Sequence, residues 1–147
     1  MNSGAEHAML ESASALLQQG QIIDRLSQLL TVAALVLLIG ASAFGVASPA
    51  LAVALALAVL AGIAETYYAI RVGFDAALFC RLRAPATMDL AALDVALVGL
   101  GMLPASRSGR PLEQRITGAQ RLFYQQGAAF VIQAAILLCA AAVAFVS

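Results

Sequence analysis

Between Arg25 and Glu65 runs LSQLLTVAALVLLIGASAFGVASPALAVALALAVLAGIA, residues 26–64, which is 39 positions without a charged side chain. As one α-helix rising 1.5 Å per residue it would reach about 58 Å, roughly twice the ~30 Å hydrocarbon core of a bilayer. The run must therefore fold back on itself. Gly45, Ser48 and Pro49 are the turn-formers within it, and Pro49 is suited to open a second helix because a helix's first residue needs no N–H partner. This reading predicts a first span over 29–46 and a second over 50–70. Another uncharged run, 122–147, contains a third span over 127–146. Lipid offers backbone groups no hydrogen-bond partners, so all three are expected to be helices.

The rest of the composition narrows the class. Of 147 residues, 63% are apolar and 11% charged, with a mean hydropathy of +0.93; soluble domains average ~45–50% and ~25%. Eight basic residues balance eight acidic ones, which removes nucleic acid as a partner, since that needs a basic excess on one face. His7 is the only histidine, so His-ligated metals and His general-base catalysis are excluded. Gly99-x-Gly101 follows a helical pattern, not a strand, and is no dinucleotide loop. Cys80 and Cys139 fall in different surroundings and read as free thiols. No enzyme activity, no cofactor and no metal are expected. All eight basic residues being Arg, together with abundant Ala, fits a GC-rich bacterial genome and hence an inner-membrane location.

Orientation follows from the arginines. The 66–121 stretch carries seven: Arg71, Arg81, Arg83, Arg107, Arg110, Arg115 and Arg121. The 44–49 turn carries none. Arg-rich short loops stay in the cytoplasm. The amino terminus is therefore expected inside and the carboxyl terminus in the periplasm. The apolar region of the first span starts too late for a secretory leader, after a polar, net acidic segment over 1–28, so that span is read as retained. A fourth span over 88–103 would bury Asp94 at ~2.5–3.5 kcal/mol near the bilayer centre and carry the following arginines outward; three spans are preferred.

The cytoplasmic parts read as helical. Ser3-x-x-Glu6 forms a capping box for an amphipathic helix over 4–27 that continues into the first span, with Gly20 as a kink point. The second span continues through 71–83 until Pro85, which pushes its predecessor out of helical geometry. Thr87 caps a short helix, with Asp89 in its first turn and a seam at Leu90, Leu93, Leu97 and Leu100. A flexible linker over 104–111 leads to Pro111, which opens a helix running into the third span. The fold class is thus all-α: an integral membrane protein with a transmembrane hairpin, a carboxyl-terminal span and a helical cytoplasmic segment over 71–121.

Two polar side chains stand where apolar ones belong. Glu65, near the inner end of the second span, is an intramembrane ionisable group and the first functional candidate. Gln133, inside the third span, is the second. Their matching depths, ~7–8 and ~10 Å from the inner face at 1.5 Å per residue, predict that they face each other. Tyr67 and Tyr68 suit the headgroup level, and Arg71 and Asp75 an i,i+4 ion pair. Ala50, Ala54, Ala58 and Gly62 recur every fourth position, a stripe that lets another helix come close. The expected function is a small non-enzymatic membrane subunit that docks membrane or cytoplasmic proteins, or its own copies, through amphipathic helices. The alternative is an oligomeric channel or transporter using Glu65 as an ion or proton site.

Overall fold

The computed structural model describes residues 3–46, 48–82, 90–101, 104, 106 and 108–146, without the side chains of Ser3, Ala5, Glu6, Leu90, Leu93 and Val146. The described residues form five helices and no strand: α1 (Ser3–Gln18), α2 (Gly20–Ala43), α3 (Pro49–Leu82), α4 (Leu90–Gly99) and α5 (Leu112–Val146). The capping box, Pro85, Thr87 and Asp89 fall outside the described residues or side chains. Three helical stretches, His7–Ala43, Pro49–Leu82 and Leu112–Phe145, are long and apolar enough to cross a membrane. At 34 and 35 residues, α3 and α5 reach about 51 and 52 Å, well beyond a ~30 Å core, so each has a part to spare outside it. α4 has 10 residues, about 15 Å, too short to be a fourth span.

The hairpin turn is built from the residues that punctuate the uncharged run. Gly45 takes φ +68°, a left-handed conformation open to glycine at little cost. Around it, the Gly45 N–H donates to Ser42 O (3.2 Å) and the Val46 N–H to Ala41 O (3.0 Å), the two bonds of a Schellman stop. Ser48 then accepts the Leu51 N–H on its Oγ (3.2 Å), capping α3, whose first residue is Pro49. α2 therefore ends at Ala43, short of the expected 46, because the Schellman stop uses 44–46 for itself.

The amino-terminal helix is interrupted at one residue, Gln19, beside the expected kink point Gly20: Gln19 keeps a right-handed helical conformation (φ −64°, ψ −23°), but its N–H reaches back only three residues to Leu16 O (3.2 Å) and Ile22 does the same to Gln19 O (3.1 Å). The cause is tertiary. A Cβ on Gly20 would lie 2.8 Å from Gln126 Oε1 and 3.2 Å from Val72 Cγ1, so α3 and α5 press on the backbone there.

Burial divides the bundle into levels. At one end Leu10, Ala13 and Leu17 of α1 pack on Val72, Ala76 and Phe79 of α3 and on Leu112, Ile116 and Ala119 of α5. At the other, Ala34, Leu55, Ala58 and Ala140 form an apolar cluster. Between them the interior is polar: Ser27, Glu65, Gln126 and Gln133 have no exposed surface. The outside is the reverse, with Leu29, Val36, Val53, Leu60 and Leu138 all 60% or more exposed. Apolar outside and polar inside is the inverse of a water-soluble bundle, and with three long apolar helices it suggests a membrane location.

The seam repeats every seven residues. α3 buries 55, 58, 62, 65, 72, 76 and 79, steps of three, four and seven. α5 buries 112, 116, 119, 126, 133 and 140, of which all but 116 fall at seven-residue steps, and α2 buries 20, 27 and 34. This is the 3–4 ridge packing of near-aligned helices. Of the expected α4 seam, Leu97 is buried and Leu100 is 72% exposed; Leu90 and Leu93 lie outside the described side chains.

Leu17 (1% exposed) sits in the α1 core and Leu29 (69% exposed) on the outside of α2. Leu17→Ala is expected to lower stability in micelles by about 2–5 kcal/mol, through the lost methyls and the cavity they leave. Leu29→Ala leaves no enclosed cavity and should cost far less. Reversible denaturant unfolding followed by circular dichroism measures both.

Candidate functional site

Two polar storeys, one heptad apart, join α2, α3 and α5. In the first, Gln133 of α5 fits against α2: the Ser27 hydroxyl donates to Gln133 Oε1 (2.7 Å), and Gln133 Nε2 donates to Thr31 Oγ1 (2.7 Å) and Ser27 O (3.3 Å). Thr31 in turn donates to Ser27 O (2.8 Å). α3 contributes only a notch here. A Cβ on Gly62 would fall on Thr31 Oγ1 and lie 2.6 Å from Gln133 Nε2.

In the second storey Gln126 Nε2 donates to Gly20 O (2.9 Å) and to Glu65 Oε1 (2.8 Å), tying all three helices with one amide. Glu65 Oε2 and Gln126 Oε1 are enclosed and have no partner. Both storeys keep the same offset between α2 and α5: 20 with 126, and 27 with 133, each 106 apart. α2 and α5 therefore run parallel and in register, with α3 antiparallel between them.

The Glu65–Gln133 pairing expected from depth does not form. Both side chains point into the bundle, but Glu65 bonds Gln126 and Gln133 bonds α2. Depth counted from span ends misjudged the register by about two turns, because α5 has no end at 127; it begins at Leu112, and its register is fixed where Gln126 meets Gly20. Gln126 was missed because it lies just outside the expected span. Its seven-residue spacing from Gln133, matching Gly20 to Ser27, was the signal.

Around this level stand the expected interfacial residues. Tyr67 and Tyr68 meet edge to face at 5.5 Å, and Arg71 lies over the Tyr67 ring at 5.4 Å. Arg71 and Asp75 make no contact ion pair among the described contacts, although the guanidinium charge still acts on the Asp75 carboxyl; the guanidinium also lies over the electron-rich face of the Tyr67 ring. Tyr124 of α5 is exposed at a nearby height. Of the small-residue stripe, Ala58 and Gly62 are buried, Ala54 packs at the edge of the apolar cluster, and Ala50 is exposed at the turn. The stripe is thus a packing face within the chain over 54–62. Among the described residues no three His, Cys, Asp or Glu side chains cluster closely enough to hold a metal ion.

A second polar device lies outside the spans. Asp94 of α4 accepts the Gly109 N–H (2.7 Å) and two contacts from Arg115 Nη2 (2.7 and 2.8 Å), clasping α4 to the start of α5. The Gly109 N–H and the Arg115 guanidinium hold the Asp94 carboxyl below its ordinary range. An open groove of about 520 Å³ runs between α4 and the 108–109 turn, lined by Ala91, Val95, Val98 and Gly99.

Two variants test these devices. Gly62→Ala should destabilise by about 1–3 kcal/mol, because overpacking outweighs the ~1 kcal/mol that helix propensity favours alanine. Gly40→Ala, with open space around it, should stabilise instead. For the clasp, a lowered carboxyl contributes above its unfolded value of 3.8 and loses that contribution as pH falls below it. Amide-exchange protection of 90–99 is thus expected to hold at neutral pH and collapse on acidification below about pH 4, and Asp94→Asn should show weakened protection already at pH 7. Compared with protein-family models, with curated proteins and with solved structures, the chain matches none.

Proposed function

We propose that this chain is a small non-enzymatic membrane protein of the bacterial inner membrane, with its amino terminus and the 71–121 segment in the cytoplasm. Its task is to dock a partner protein through α4. The observation carrying this reading is α4 itself. Its sequence, LAALDVALVG, is apolar except for one aspartate, and that aspartate is consumed by the clasp. Val95 and Leu100 remain 74% and 72% exposed beside an open groove. A helix too short to span, held at one point and apolar on its outer side, suits an interface with an amphipathic helix of a partner.

The cytoplasmic assignment rests on arginine placement. The antiparallel course of α3 between parallel α2 and α5 then puts the carboxyl end of α5 on the opposite side from the start of α2. The alternative, an oligomeric channel or transporter working through Glu65, has less support: it needs an aqueous path to a carboxyl that has no exposed surface in the bundle.

A photo-crosslinking residue at Val95 should capture one discrete protein in native membranes, and the same group at Leu29 should capture lipid. A Leu100→Glu substitution should abolish the Val95 adduct while leaving the fold intact. No discrete adduct at Val95 would refute the docking role. Reporters fused after Ser147 and inserted at Ser108 should read periplasmic and cytoplasmic respectively.

A further inference from the structure

Glu65 Oε2 and Gln126 Oε1 are both acceptors, both sealed from solvent, and both without a donor. They belong to side chains already joined through Gln126 Nε2 and Glu65 Oε1 at 2.8 Å. An unpaired polar atom in such a place is strongly unfavourable, because apolar surroundings offer it no partner, and here two arise together. We propose that Glu65 is a neutral carboxylic acid whose Oε2 proton is donated to Gln126 Oε1, closing a two-bond acid–amide pair that locks α3 to α5 and, through Gly20 O, to α2. One proton satisfies both orphans: it turns one acceptor into a donor and gives the other its partner.

The groups around the carboxyl can be named element by element. From α2 the facing groups are the Ser27 hydroxyl, within hydrogen-bond reach of the carboxyl, and Asp24. From α5 the facing group is the uncharged Gln126 amide. On α3 itself the nearest cation, Arg71, lies six residues away over Tyr67, and no ion pair to Glu65 is found among the described contacts. α1 packs lower, against 72–79. A carboxylate here would face an acceptor oxygen and an acidic neighbour with no cation.

The consequence is a proton-held junction. This goes beyond the docking role and does not depend on it.

Infrared spectroscopy of the whole protein in micelles at pH 7 tests it. A protonated-carboxyl C=O band is expected. It should vanish in Glu65→Gln, which keeps shape and supplies its own N–H donor. It should move to higher frequency in Gln126→Leu, which removes the amide bonded to Oε1. Should Glu65→Gln fail to fold, the Gln126→Leu band shift alone decides. Absence of the band from wild type, or its indifference to these variants, would overturn the proposal. So would stabilisation of wild type by sodium or potassium at constant ionic strength, since a cation would then sit between the two oxygens.

Discussion

A buried amide enclosed between three apolar helices has few ways to satisfy its four hydrogen-bonding positions, and that constraint fixes the relative heights of α2, α3 and α5. Gln133 meets the need with a hydroxyl, a second hydroxyl and a carbonyl, all from one turn of α2. Gln126 spends one N–H₂ group on a carbonyl of α2 and a carboxyl of α3. A shift of any helix by one residue would strand several of these groups at once. Polar contacts between membrane helices average only ~0.6 kcal/mol each, yet leaving them unmade costs several kcal/mol per group. The polar storeys therefore act through the penalty for every other register more than through the strength of the bonds.

Glycine makes the storeys possible. Gly20 and Gly62 stand opposite the two glutamines, and a methyl at either would meet an amide atom within van der Waals distance. The helices approach where a side chain is missing, and the space so freed holds a polar group from the neighbour. The break at Gln19 is part of the same arrangement: α1 leaves the line of α2 where α2 is pinned, then spreads Leu10, Ala13 and Leu17 over the lower halves of α3 and α5. Below the pin, the core is built of large apolar side chains as in a soluble protein. Above it, alanines and small aliphatics meet at Ala34, Ala58 and Ala140, where lipid-exposed packing rewards close contact over apolar burial.

α4 stands apart from this economy of space. It is joined to the bundle by a charge clasp beside the buried Leu97, which holds position while Val95 stays exposed. The two devices differ in how firmly they hold. The storeys are sealed and shared among three helices; the clasp is a single carboxylate in the middle of one short helix. A surface meant to exchange partners is better hung on the second kind of attachment.

Much of this was legible in the residues alone. The charge-free run, its length against the bilayer and the Gly45–Ser48–Pro49 punctuation determined three long helices with a hairpin between the first two, because backbone hydrogen bonding in an apolar medium leaves no other option. Glu65 and Gln133 were visible as polar side chains in apolar surroundings. Which helix each would bond was not, because in a chain this apolar the hydrophobic pattern no longer marks the inward face. The inward face is written instead in small and polar residues at seven-residue steps, Gly20, Ser27 and Ala34 against Gln126, Gln133 and Ala140, and the lipid-facing side takes the leucines and valines. Only the packed structure decided the register, and with it that Glu65 faces Gln126, because register depends on two surfaces fitting at once and neither strand of sequence contains the other's shape.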